Sequence, residues 1–151
     1  MVAITPNAGN HAGLGSKDSR FVNVFDLPWE KTKFPGVEAK TLLLDKESGL
    51  LTALIRMAPG ARLPDHEHVL IEQTFMIEGT LVDEEGACTA GNFVWRPAGS
   101  RHEARTPNGG LMLAMFLVPN KFFDEGGSVT DVINQDWERA WGHSGHLKAV
   151  E

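Results

Sequence analysis

Apolar and polar residues alternate along most of the chain with a period of two, and turn residues interrupt the alternation about every ten positions. The stretch AKTLLLDKESGLLTALIRMAPG reads as a hairpin, with strands near 38–45 and 50–58 joined by KESG. In the second strand Leu51, Ala53, Ile55 and Met57 share one face, and Arg56 lies on the other. Further on, TFMIEGTLVDEEGACTAGNFVWRPAGSRHEART carries turn signals at Glu78-Gly79, Glu85-Gly86, Ala90-Gly91 and Pro97-Ala98-Gly99. The run LMLAMFLV, Leu111 to Val118, is apolar on both faces and suits a central strand. Short strands at this spacing predict an all-β sandwich or barrel.

The two ends break the pattern. Residues 1–20 are rich in Gly, Ala, Asn and Ser without an apolar period, and read as a flexible or partner-docked arm. A short apolar strand is expected at 21–25. After Pro119, Val132, Ile133, Trp137 and Trp141 fall near helical spacing, which predicts a short C-terminal helix docked through its tryptophans. The expected organisation is an arm at 1–20, a β-barrel at 21–119 and a helical extension at 120–151 packed on the barrel.

Composition narrows the function classes. A chain of 151 residues fits one domain with one core, and its 16 Gly and 8 Pro suit many tight turns. The formal charge of −6 argues against a nucleic-acid partner, because phosphate binding needs a basic surface. The lone Cys88 excludes an intramolecular disulfide and fits a reducing cytoplasm. The N-terminus lacks the basic start and apolar run of a signal peptide, and LMLAMFLV is too short to cross a bilayer as a helix. The expectation is a cytoplasmic protein with no membrane partner.

The chemistry concentrates in HEHVLIE. His66 and His68 share a face if the segment is extended, and Glu72 converges on the same space if pairing continues through the next strand. Imidazole nitrogen with carboxylate oxygen suits a first-row divalent ion. In RHEAR the charges Arg101, Glu103 and Arg105 alternate against His102, which leaves His102 facing inward. Inward polar groups need partners, and three histidines with a glutamate supply each other with one if they share a metal. Parity extends the pocket to Thr74 and Met76 from the Glu72 strand, and to Ala104 and Thr106 from the His102 strand. Arg56 is a candidate for an anionic substrate or enolate, or else a solvated strand residue. Phe93 and Trp95 read as core or a dimer face, and His143 with His146 as part of an exposed tail.

These residues sit in two motifs that resemble those of the cupin superfamily. The first is Gly, five residues, His-x-His, three residues, Glu, six residues and Gly, matched by Gly60, His66, His68, Glu72 and Gly79. The second is Gly, five residues, Pro-x-Gly, two residues, His, three residues and Asn, matched by Gly91, Pro97, Gly99 and His102, with Thr106 at the Asn position. The resemblance implies a jelly-roll β-barrel, often dimeric, and one divalent metal ion per chain held by His66, His68, Glu72 and His102. It favours Fe(II), with Zn, Ni or Mn also fitting these donors.

Length, single barrel and the tail KFFDEGGSVTDVINQDWERAW are similar to small cupin dioxygenases that cleave C–C bonds in β-diketones and hydroxyketones. Those enzymes hold iron mainly with three histidines, so Glu72 departs from their pattern. The segments APGARLPDHEH and EGTLVDEEGACTAGNFVWRPAGSRH resemble the cupin-like domain of zinc-binding anti-sigma factors, which uses three His and one Glu in sensing. The expected function is a metal-dependent homodimeric cupin acting as an Fe(II) dioxygenase on a small diketone or hydroxyketone. The alternative is a non-catalytic metal cupin that binds or senses a small molecule.

Overall fold

The structure, a computed structural model, describes residues 3–144. Its strands are β1 (Ala3–Ile4), β2 (Glu30–Lys31), β3 (Val37–Asp45), β4 (Leu50–Met57), β5 (Ala61–Glu67), β6 (Glu72–Val82), β7 (Ala87–Thr89), β8 (Phe93–Arg96), β9 (Arg101–Thr106), β10 (Gly110–Leu117), β11 (Lys121–Phe123) and β12 (Val129–Thr130). One short helix, α1 (Trp137–Trp141), follows them. The strands join in the order β1-β3-β4-β10-β6-β9-β5-β11-β12, with β2 beside β3 and both β7 and β8 beside β6. Every pairing is antiparallel, and the sheet curls on itself as a β-barrel of jelly-roll type.

β6 is the strand on which the sheet turns its corner. Its first part pairs with β10 and β8, and its last residues pair with β7 and meet Arg105 of β9. Gly79 sits at the bend with φ of 73°, and a Cβ there would lie 2.0 Å from the Gly109 carbonyl oxygen. Only glycine lets the two backbones cross this closely.

The alternation read from the sequence places the core. Leu51, Ala53, Ile55 and Met57 are all buried and meet Met112, Ala114 and Phe116 of β10, which is central between β4 and β6. On the opposite face of β6 and β8, Phe75, Ile77, Phe93 and Trp95 face outward, with Phe93 50% and Trp95 53% exposed. They are not core.

Three elements differ from expectation. Residues 21–25 form no strand. Val24–Asp26 is a 3-10 turn in which Asn23 Nδ2 donates to Asp26 Oδ2 at 2.9 Å, and Phe21 and Phe25 are exposed. The Val24 carbonyl is satisfied by buried Lys40 Nζ at 2.8 Å instead of by a neighbouring strand. Second, the helix covers only Trp137–Trp141, because Val132 and Ile133 lie in a turn held by the Asp131 carboxylate, which accepts from the N–H groups of Ile133 and Gln135. Third, the wall continues past Pro119: β11 pairs with β5, so 120–151 opens with strands of the barrel itself. Within the segment 1–20, β1 pairs with β3 of the same chain. Among the described residues no helix is long and apolar enough to cross a membrane.

Trp137 and Trp141 dock as expected, both buried. Trp137 Nε1 donates to the Pro119 carbonyl at 2.8 Å and Trp141 Nε1 to Asp131 Oδ2 at 2.6 Å. His143 is exposed, and His146 lies outside the described residues.

Candidate metal centre

A bulge in β5 aims the first histidine. Leu63 pairs with Ala104 and His66 with His102, so β5 uses three steps where β9 uses two. The extra residue flips the parity, and both Leu63 and His66 end up buried on the inner face. Within the bulge the Pro64 carbonyl turns to accept from His66 Nδ1 at 2.8 Å. His68 follows just beyond the strand. Its N–H donates to the Ser100 carbonyl at 2.8 Å, and its carbonyl accepts from Gly99 N–H at 2.6 Å.

The three rings form a near-equilateral triangle. Centroids of His66 and His68 are 4.9 Å apart, of His66 and His102 4.6 Å, and of His68 and His102 4.9 Å. One ligating nitrogen from each ring falls within 4.8 Å of the others. In each ring Nδ1 is occupied by an outer partner. For His66 this is the Pro64 carbonyl; for His102 it is Asp83 Oδ2 at 2.9 Å; for His68 it is Glu72 Oε2 at 2.7 Å, at an angle poor for a hydrogen bond. The free Nε2 lone pairs are therefore the ones left to converge.

Electrostatics keep His66 and His102 available. Burial, with His68 beside it, lowers the His66 pKa from 6.5 to about 4. Burial and the charge of Arg96 lower that of His102 as well. Burial works to raise the Glu72 carboxyl, but contact with His68 and His66 outweighs it and holds the group below the ordinary range. Imidazole nitrogens beside a carboxylate are a metal-binding set. His68 Nε2 is buried with no partner in the protein, a cost that coordination removes. These residues fit a divalent ion.

His66 and His102 open on a chamber of about 20 Å³, whose other polar lining is Glu72, Arg96 and Asn120. Ile55, Leu63 and Phe116 are among its apolar walls. A larger cavity of about 310 Å³ shares Leu81 and Arg96 with the chamber and extends to Asn92 and Glu85.

Of the residues singled out by parity, Ala104 lines the chamber. Thr74 is buried behind it, its hydroxyl donating to Glu72 Oε1 at 3.0 Å. Met76 and Thr106 are buried away from the lining, with the Thr106 hydroxyl donating to the Ala58 carbonyl at 3.1 Å. Arg56 does not reach the site. Its even position in β4 faces outward, where it bonds Glu38 at 3.1 Å and lies 4.1 Å from the Trp29 ring centroid. Glu72 stands beside the triangle, engaged with His68 and Thr74, and outside the three-histidine cluster.

Four residues escaped the sequence reading. Asp83 starts a turn, its Oδ1 accepting from the N–H groups of Glu85 and Gly86, while its Oδ2 serves both His102 and Arg96. The turn use was legible in VDEEG; the second use was not. Phe122 stacks on His66 with centroids 4.5 Å apart, and Asn120 and Arg96 enter the chamber from strand ends distant in sequence.

A curled antiparallel barrel with three clustered histidines, two on the adjacent strands β5 and β9 and one just beyond β5, defines the cupin class. Residues 17–121 match the ChrR cupin-like domain family, and the chain belongs to it. Among solved structures, it is similar to a proposed acetylacetone dioxygenase from Methylibium petroleiphilum, with 26% identity, a TM-score of 0.69, and coverage of 85% of this chain and 98% of that one. An acetylacetone dioxygenase from Acinetobacter johnsonii shares the fold at 19% identity, TM-score 0.65, covering 89% and 95% of the two chains. The anti-sigma protein ChrR of Rhodobacter sphaeroides, solved with SigE, shares it at 24% identity and TM-score 0.54, covering 60% of this chain and 50% of that one. No curated protein matches.

Proposed function

We propose that the chain is a metal-dependent cupin that uses Fe(II) to cleave a C–C bond in a small β-diketone or hydroxyketone with O₂. The observation that carries this reading is the triangle of inward histidines, with His66 and His102 each held from behind by an oxygen acceptor and His68 in contact with Glu72. With Glu72 turned to His68, the donors nearest the shared point are three imidazoles, and the likeness in fold to an acetylacetone dioxygenase supports the same reading. When bound, the ion supplies open coordination positions and an electron path from a chelating substrate to O₂.

The chain's own residues do the rest. Pro64 and Asp83 fix the tautomers of His66 and His102, and the apolar walls exclude bulk water. The chamber, about 20 Å³, admits only one small group of a substrate. In the overall reaction one C–C bond breaks, both atoms of O₂ enter the fragments, and the substrate supplies the electrons.

Elemental analysis of protein purified without added metal comes first, followed by anaerobic Fe(II) loading and O₂ uptake with a panel of β-diketones and hydroxyaryl ketones. Stoichiometric iron with substrate-stimulated uptake supports the reading. A Zn-filled protein with no uptake across the panel sinks it in favour of a zinc-binding sensor, which the ChrR-type family match favours. His66→Ala and His102→Ala should abolish metal uptake; retained stoichiometric metal would overturn the ligand assignment.

A further inference from the structure

Asn120 is only 2% exposed, lines the histidine chamber, and its Oδ1 is buried with no hydrogen-bond partner. Such a group is costly to leave unsatisfied, and a leucine of similar volume would remove the cost. The backbone before it is also strained. Val118 adopts φ of 58°, a region a β-branched residue avoids, and it is pinned there by its N–H donating to the Gly49 carbonyl at 2.7 Å. Trp137 Nε1 fixes the Pro119 carbonyl at 2.8 Å, and on the other side Phe122 pairs with His66 and stacks on its ring. The segment is held on both flanks, so the amide cannot easily turn to another partner. The chamber it faces, about 20 Å³, is large enough for one water-sized group.

We propose that Asn120 is a ligand-binding residue, whose side-chain carbonyl accepts a hydrogen bond from an O–H group occupying the chamber beside His66 and His102. The occupant is a water in the resting protein and the hydroxyl end of a small hydroxyketone when substrate binds. The inference rests on the metal-centre reading and narrows its substrate class: Asn120 selects ligands that present an O–H over analogues in which that proton is replaced by methyl.

The test uses the full chain loaded with Co(II), whose visible absorption reports ligand binding, and two probes, hydroxyacetone and methoxyacetone. The wild type should bind hydroxyacetone about tenfold or more tightly relative to methoxyacetone, and Asn120→Leu should bring the ratio down by the same factor. Asn120→Ala serves as a second variant should Asn120→Leu fail to fold. With metal removed by chelator, Asn120→Leu should melt at or above the wild-type temperature, because it deletes an unsatisfied polar group. An unchanged ratio in the variants, or a lower melting temperature of metal-free Asn120→Leu with an intact fold, overturns the proposal and leaves the metal centre standing. Absence of Co(II) uptake by the wild type overturns the metal centre, and this inference with it.

Discussion

Acid should destabilise the metal-free protein through His66, and the size of the effect follows from its burial. In the unfolded chain the imidazole titrates near its ordinary 6.5, whereas in the fold burial and His68 bring it to about 4. The folded state therefore binds fewer protons between these values. The stability this contributes is fully present above pH 6.5 and is lost as pH falls from 6.5 towards 4. Over that window the 2.5-unit difference amounts to about 3 kcal/mol at pH 4, a large share of the ~5–15 kcal/mol that holds a domain together.

The perturbation is His66→Gln, which does not titrate and retains an N–H donor for the Pro64 carbonyl. Urea unfolding with chelator present, at pH 7.5 and pH 4, gives the acid-induced loss for each protein. The variant starts less stable but should lose about 3 kcal/mol less between the two pH values. Groups remote from His66 titrate in both proteins and cancel in the difference, whereas Glu72, which His66 helps to hold down, contributes to it. Equal acid losses in wild type and variant would show that His66 titrates normally and refute the reasoning.

Asp83→Asn removes the acceptor shared by His102 and Arg96, and should weaken metal affinity about 10- to 100-fold in chelator competition while the fold persists. Trp141→Phe keeps a ring in place but withdraws the 2.6 Å donor from buried Asp131, and urea melts should show a cost of about 1–3 kcal/mol or more. Gly79→Ala pushes a Cβ to 2.0 Å from the Gly109 carbonyl at a positive φ, so it should lower stability by about 3 kcal/mol or more, read by thermal melting. A Gly79→Ala protein as stable as the wild type would show that the β6 corner is not a close crossing.

The sequence by itself determined the central strands, the buried face of β4 and the histidines, but not the absence of a strand at 21–25 or the wall strand past Pro119. Period-two alternation is a local property: Leu51, Ala53, Ile55 and Met57 must share a side of any extended strand, and each needs burial. Likewise His66, His68 and His102 announced themselves because inward histidines at fixed distances from turn glycines have few structural uses. Tertiary structure decided which partners those side chains found. The bulge between Leu63 and His66 depends on how β5 registers against β9, and two residues of β5 carry no mark of it. Glu72 met His68 and Thr74, Arg56 turned outward to Glu38 and Trp29, and Asp83 took on His102 and Arg96, all through pairings between strands. Asn120 is the clearest instance. Nothing near it in the chain signals a binding site; its place follows from β11 joining β5 and from a helix some twenty residues on that fixes Pro119. Hydrophobic periodicity is written residue by residue, whereas a polar group's partner is chosen only when distant strands close the barrel.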